Sequence, residues 1–206
     1  MNITPKTESG RILRRIERAK PGWVFARADF LDLSSTDNIG LVLARLEKRG
    51  LIRRIARGIY DAPRRDPLLG ELWPSVDSVV KAVTSKGQLR VQPTGVYAAN
   101  LLGLSEQVPQ RIVYLTDGTP RQVRFGRQQI VLRRTTPRNM ATAGRTSGLV
   151  IQALRYLGPR AIDDAVITTL RARLNANDRA RLAADSALAP AWIGELMRRI
   201  AVRPKR

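Results

Sequence analysis

The chain contains no histidine and no cysteine. The first absence removes the commonest general base and the commonest metal ligand; the second removes a thiolate nucleophile, a zinc-thiolate site and any disulfide. Most hydrolase, transferase and zinc-enzyme schemes thereby lose their usual chemistry, so the expectation is of a non-enzyme with no cofactor and no metal. Aromatic residues make up only 5% of the chain, and Trp23, Trp73 and Trp192 stand far apart. They read as core or interface residues rather than as a base-stacking platform. No apolar run approaches the roughly 18 to 20 residues that a membrane span needs. Residues 1–20 are charged throughout, without the apolar centre of a signal peptide. A cytoplasmic chain with no membrane partner is expected.

Acidic residues are scarce as well, with 17 Asp and Glu against 37 Lys and Arg, for a formal net charge of +20. That surplus exceeds what solubility requires and calls for a polyanionic partner, whether nucleic acid, an acidic membrane surface or an acidic protein. It is unevenly spread: residues 1–66 hold 15 basic and 8 acidic residues, and the remaining 140 hold 22 and 9. The densest part is 111–145, with eight arginines and a single acid, Asp117.

What is present is periodic. In residues 7–19, Ile12, Leu13 and Ile16 form one stripe among Arg11, Arg14, Arg15 and Arg18, as in an amphipathic helix ended by Pro21-Gly22. Trp23-Val24-Phe25 reads as a short strand, and 27–33 as a short helix that covers the first with Ala28, Phe30, Leu31 and Leu33. Ser34-Ser35-Thr36 is a turn with capping capacity. Over 36–49, Ile39, Val42, Leu43 and Leu46 recur at helical spacing, and Gly50 ends the run. Strand 51–55, the tight turn Ala56-Arg57-Gly58 and the return strand Ile59-Tyr60 follow, and 63–67 reads as a linker. Further on, 75–86 and 94–102 pattern as helices, and 111–115, 122–125 and 128–133 as three strands of a small antiparallel sheet. From about Arg145 the chain is helical, over 149–157, 161–174, 178–184 and 190–200. The expected fold is therefore α+β, mainly helical: a winged helix-turn-helix over 1–66, then a larger mixed domain over 67–206.

A winged helix-turn-helix places its third helix in the major groove of DNA, which admits a single α-helix. Ser34, Ser35, Thr36 and Asn38 lie at the amino-terminal tip of that helix, where hydroxyl and amide groups reach base edges or phosphates. Asn38 is the first choice for base readout, and Arg45 and Lys48, further along, suit the backbone. The hairpin gathers Arg53, Arg54 and Arg57 within five positions. Adjacent strand residues point to opposite faces, so only one of Arg53 and Arg54 serves a wing on DNA; Arg57 ranks first for that role and Arg53 second. Arg121, Arg124, Arg127, Arg133 and Arg134 form an auxiliary basic surface that is expected to assist.

Two stretches resemble AbiEi-type antitoxins of type IV toxin-antitoxin systems: WVFARADFLDL at 23–33 through LEKRGLIRRIARGIY at 46–60, then QPTGVYAANLLGLSEQVP at 92–109 followed by YLTDG at 114–118. The resemblance implies an amino-terminal winged helix that binds inverted repeats in the promoter of its own operon. It also implies a carboxy-terminal antitoxin domain that counteracts a nucleotidyltransferase-type toxin, in systems linked to phage defence. Asn38 and its neighbours would then read the operator, with Arg57 in the wing. The rival expectation is a stand-alone transcriptional regulator whose second domain senses a ligand or dimerises; an RNA-binding protein ranks third. Asp163-Asp164 is the one paired carboxylate considered for catalysis. Adjacent helical residues point about 100° apart, and helix capping accounts for the pair better. Residues 144–148 lack the Gly-Lys-Ser/Thr ending of a phosphate loop.

Overall fold

Thr7 opens the first helix, accepting a hydrogen bond from the Gly10 amide at 3.1 Å. Helix α1 (Glu8–Arg18) carries Glu8 in its first turn and Arg15 and Arg18 in its last, the placement that complements the helix dipole, and buries Ile12 and Ile16. The computed structural model describes residues 7–20, 22–85 and 88–202; Pro21 and Lys86, where two helix ends were expected, lie outside these. The fold is α+β and helix-rich, and the chain divides into two units. One runs to Gln88 and includes Val123–Arg127, and the other takes Leu89–Gln122 and Gln128–Arg206.

In the first unit, strand β1 (Val24–Ala26) leads into a single 3-10 turn, Arg27–Phe30, and not into the expected helix over 27–33. The Asp29 carboxylate accepts the Ala26 amide at 2.7 Å and closes that turn, and a further turn follows at once. Phe30 is fully buried, whereas Leu31, expected to cover α1, is 55% exposed. Helix α2 (Thr36–Lys48) has Ser35 as N-cap and buries Ile39, Val42, Leu43 and Leu46. It ends in a Schellman arrangement, with Gly50 N donating to Glu47 O and Leu51 N to Leu46 O, and with Gly50 at φ +69°. Because that cap uses the Leu51 backbone, the following strand starts at Arg53 and not at Leu51. Strands β2 (Arg53–Ala56) and β3 (Ile59–Asp61) form a hairpin that pairs Arg53 with Asp61 and Arg54 with Tyr60, with a bulge before Ala56. β1 pairs antiparallel with β3, so the sheet order is β1-β3-β2. Behind it, Phe25 and Phe30 meet edge to face at 5.5 Å, and Tyr60 stacks on Phe25.

The segment expected as a linker is itself structured. Strands β4 (Arg64–Asp66) and β5 (Gly70–Leu72) pair antiparallel, and the Asp66 carboxylate accepts the amides of Leu68 and Leu69 to fix the turn between them. Helix α3 (Val76–Ser85) belongs to the same unit, which runs on to Gln88.

The second unit contributes to a four-stranded sheet of β6 (Val91–Pro93), β7 (Arg111–Thr116), β8 (Arg121–Phe125) and β9 (Gln128–Arg134), in the order β6-β7-β9-β8. The three strands expected as one small antiparallel sheet differ from it in one pairing: β7 and β9 are parallel neighbours. The strand after Asp117 does not pair with β7, and the Asp117 carboxylate is held by the amide and the guanidinium of Arg90. A turn at Gly126-Arg127 leads into β9, which lies between β7 and β8.

Helices α4 (Gly95–Leu101), α5 (Pro137–Met140), α6 (Thr146–Leu157), α7 (Asp164–Arg173), α8 (Ala176–Ala184) and α9 (Ala191–Ala201) complete the unit. Leu154, Ile167, Leu170, Ile193, Met197 and Ile200 share its helical core, each contributing roughly 1.5–3 kcal/mol by burial. Asp163 caps α7 by accepting the Val166 amide, and Asp164 pairs with Arg199 at 2.6 Å, so this carboxylate pair has structural employment.

Candidate nucleic-acid interface

The tip of α2 is built by a chain of polar contacts that reaches back to α1. Ser35 caps the helix, its hydroxyl accepting the Asn38 amide. Ser34 donates its hydroxyl to the Glu8 carboxylate, and the Asn38 side-chain nitrogen donates both to the same Glu8 oxygen and, at 2.8 Å, to Ser34 Oγ. The hydrogen bond from Ser34 holds the Glu8 carboxyl below its ordinary value, with Asn38 and Arg11 assisting, so this carboxylate is ionised at neutral pH. Ser34, Asn38 and Glu8 thus form one unit, and the donor of Asn38 is already engaged.

Thr36 is exposed at the helix start, and Arg45 and Lys48 are exposed towards its carboxy-terminal end. In the hairpin, Arg54 and Arg57 are exposed. Arg53 is placed otherwise. Its guanidinium forms a two-point ion pair with Asp61 at 2.6 and 3.1 Å, donates to Leu72 O at 2.9 Å and lies 3.9 Å from the Trp73 ring centroid. The Asp61 side chain is 1% exposed and that of Arg53 19%. Burial pushes the Asp61 carboxyl above its usual value, against the pull of Arg53. Arg53, ranked second for the wing, is thus engaged within the fold: it ties β2 and β3 to β5, and Arg54, on the opposite face of the strand, is the exposed one.

The auxiliary arginines are spread over two strands and a turn. Strand alternation sends Arg133 and Arg134 to opposite faces of β9, and Arg121, half-buried, away from the exposed Arg124 of β8; Arg127 sits in the turn. Another basic face, unranked by sequence, lies on α1, where Arg11, Arg14 and Arg18 line a 540 Å³ hollow with Trp23 and Leu33. Arg15 of the same helix is committed to Asp32 at 2.6 Å, which holds the Asp32 carboxyl below its usual range. Glu8 was also missed, because nothing in a local pattern links it to a residue 30 positions away. Among the described residues no cluster of acidic side chains could hold a metal ion, and no helix is long and apolar enough to cross a membrane.

No curated protein matches the chain. A crystal structure of the RV2827C protein from Mycobacterium tuberculosis superposes on 97% of this chain and 83% of that one, at a TM-score of 0.48 and 14% identity. A family model described as a family of unknown function, DUF6088, matches residues 11–182, and the chain belongs to that family.

Proposed function

We propose that this protein is a DNA-binding transcriptional regulator whose first unit is a winged helix-turn-helix. The observation that carries the reading is the sheet order β1-β3-β2 beside α1 and α2, with a hairpin that exposes Arg54 and Arg57. In this arrangement α2 enters the major groove, Arg45 and Lys48 meet phosphates, and the β2–β3 hairpin lies along the backbone or over the minor groove. The net charge of +20 supplies the long-range attraction. The antitoxin and autoregulator role, directed at inverted repeats in its own promoter and at a nucleotidyltransferase-type toxin, extends this reading and rests on the resemblance of the two stretches between residues 23 and 118.

The Glu8 contact gives the reading a specific mechanism. Bidentate recognition of adenine needs both the amide nitrogen and the carbonyl oxygen of an asparagine. In the free protein the nitrogen of Asn38 is held by Glu8 and Ser34. DNA must therefore displace a carboxylate before Asn38 can read a base. Glu8→Ala removes that competitor and one negative charge at the helix tip, so a several-fold rise in affinity for the chain's own upstream DNA is expected. Fluorescence anisotropy with that fragment and a scrambled duplex of equal length is the measurement. Equal affinity for the two duplexes would overturn sequence-specific binding, and an unchanged or lower affinity of Glu8→Ala would place Asn38 outside the interface.

A further inference from the structure

Two adjoining hollows open in the second unit, and their walls share Thr94, Gly95 and Arg133. The larger, of 410 Å³, adds Arg155 and Tyr156; the smaller, of 230 Å³, adds Arg111 and Tyr97. The parallel register explains the convergence: Arg111 and Leu115 are two turns of the β pleat apart on one face of β7, and Leu115 is the register partner of Arg133 on β9. Arg155, on α6, donates to Asn139 Oδ1 at 3.0 Å, which directs its guanidinium at this cleft without neutralising it. No carboxylate lines either hollow, and none of Arg111, Arg133 and Arg155 forms an ion pair with a described residue. Arg90, Arg145 and Arg199 each hold an aspartate.

Three like charges around one cleft repel one another, and a fold that keeps them there without a counter-charge has the electrostatics of an anion site. Arginine forks match phosphate oxygens in particular. Gly95, at φ +66°, has nothing within 4 Å of where a Cβ would stand, so the backbone at the shared wall is open to a ligand. Tyr97 and Tyr156 line one hollow each, beside the cations, the pairing of groups that holds a base next to its phosphate. The volume of the larger hollow falls in the range of small-molecule sites. We infer that the second unit carries a nucleotide-binding cleft centred on Arg133, with Arg111 and Arg155 holding phosphate and Tyr97 or Tyr156 stacking the base. The same chemistry serves a free nucleotide or a nucleotide within a single strand, and it does not depend on the DNA contact proposed for the first unit.

The neighbouring residue supplies the control. Arg133→Glu and Arg134→Glu change the net charge identically, but only Arg133 lies on the face that bears the cleft. Both are made in the full chain in an Arg54→Ala, Arg57→Ala background, so that the hairpin of the first unit does not contribute, and thermal melting verifies that each is folded. The probes are ATP, followed by calorimetry, and a fluorescein-labelled oligo(dT) of twelve nucleotides, followed by anisotropy. The expected result is binding of one or both probes, weakened at least about tenfold by Arg133→Glu and little by Arg134→Glu, as for loss of one charge-assisted contact. ATP binding identifies the free nucleotide as the source, and oligonucleotide binding alone identifies the strand. Equal weakening by the two variants would reduce the effect to overall charge and overturn the cleft, as would binding of neither probe.

Discussion

Arg53→Ala is expected to cost about 3–5 kcal/mol of folding stability, the range for a buried ion pair that loses one partner. Asp61 would stay in place with its side chain 1% exposed and its counter-ion gone, and β5 would lose the hydrogen bond to Leu72 O and the guanidinium that lies against Trp73. The pH dependence follows with a definite sign. The folded-state pKa of Asp61 is already raised by burial, and removal of Arg53 raises it further. A carboxyl whose pKa is higher folded than unfolded favours folding below its unfolded value of 3.8 and loses that contribution as pH rises through the folded value. The deficit of Arg53→Ala relative to the parent should therefore be largest at neutral pH and shrink towards pH 4. Urea denaturation across that range measures it. The paired change Arg53→Met, Asp61→Leu should recover most of the loss, since an apolar pair leaves no buried charge. A variant of unchanged stability but diminished DNA affinity would restore Arg53 to the wing and sink the structural account.

The second large effect falls on binding. Arg54→Ala and Arg57→Ala remove exposed side chains and should leave stability within about 0.5 kcal/mol of the parent. Affinity for the upstream duplex should fall on the order of tenfold for each, as when a charge-assisted hydrogen bond to phosphate is removed. The slope of log affinity against log salt should become shallower by about 0.9 for each phosphate that the protein no longer neutralises. Because phosphate contacts carry no base information, specific and scrambled duplexes should lose affinity in the same proportion. Variants with an unchanged salt slope would show that the hairpin does not touch the backbone. A loss confined to the specific duplex would assign the arginines to base edges in place of phosphates.

Much of the first unit is legible in the sequence because its elements are set by local spacing. Ile39, Val42, Leu43 and Leu46 recur at helical period and are the four residues that α2 buries. Gly58 permits the hairpin turn at φ +76°, and the alternation of Arg53 and Arg54 foretells that the two face opposite ways. Which of them faces outward was not legible. That choice depends on Asp61 across the hairpin and on Trp73 a further twelve positions along, and the spacing of cations carries no record of their partners. The Glu8 contact with Ser34 and Asn38 was hidden for the same reason. Local pattern also failed where a side chain redirected the backbone: Asp29 closed a 3-10 turn where a helix was expected, and Asp66 turned an expected linker into a ribbon.

By itself the sequence determined composition and period: a helix-rich α+β chain, a strong cationic surplus, and no histidine or cysteine on which the commoner catalytic and metal chemistry could be built. Those are properties of residue type and near-neighbour spacing, to which helical burial and turn chemistry respond directly. Tertiary structure decided which charges are spent within the fold and which are left for a partner. The arginines of 111–145 are one dense run in the sequence, yet the parallel pairing of β7 with β9 sets Arg111 and Arg133 on one face with Arg155 from α6, and sends Arg134 to the other. Strand order is settled by long-range pairing and by the apolar face that each strand must bury, so the grouping of these cations emerges only when the sheet is assembled.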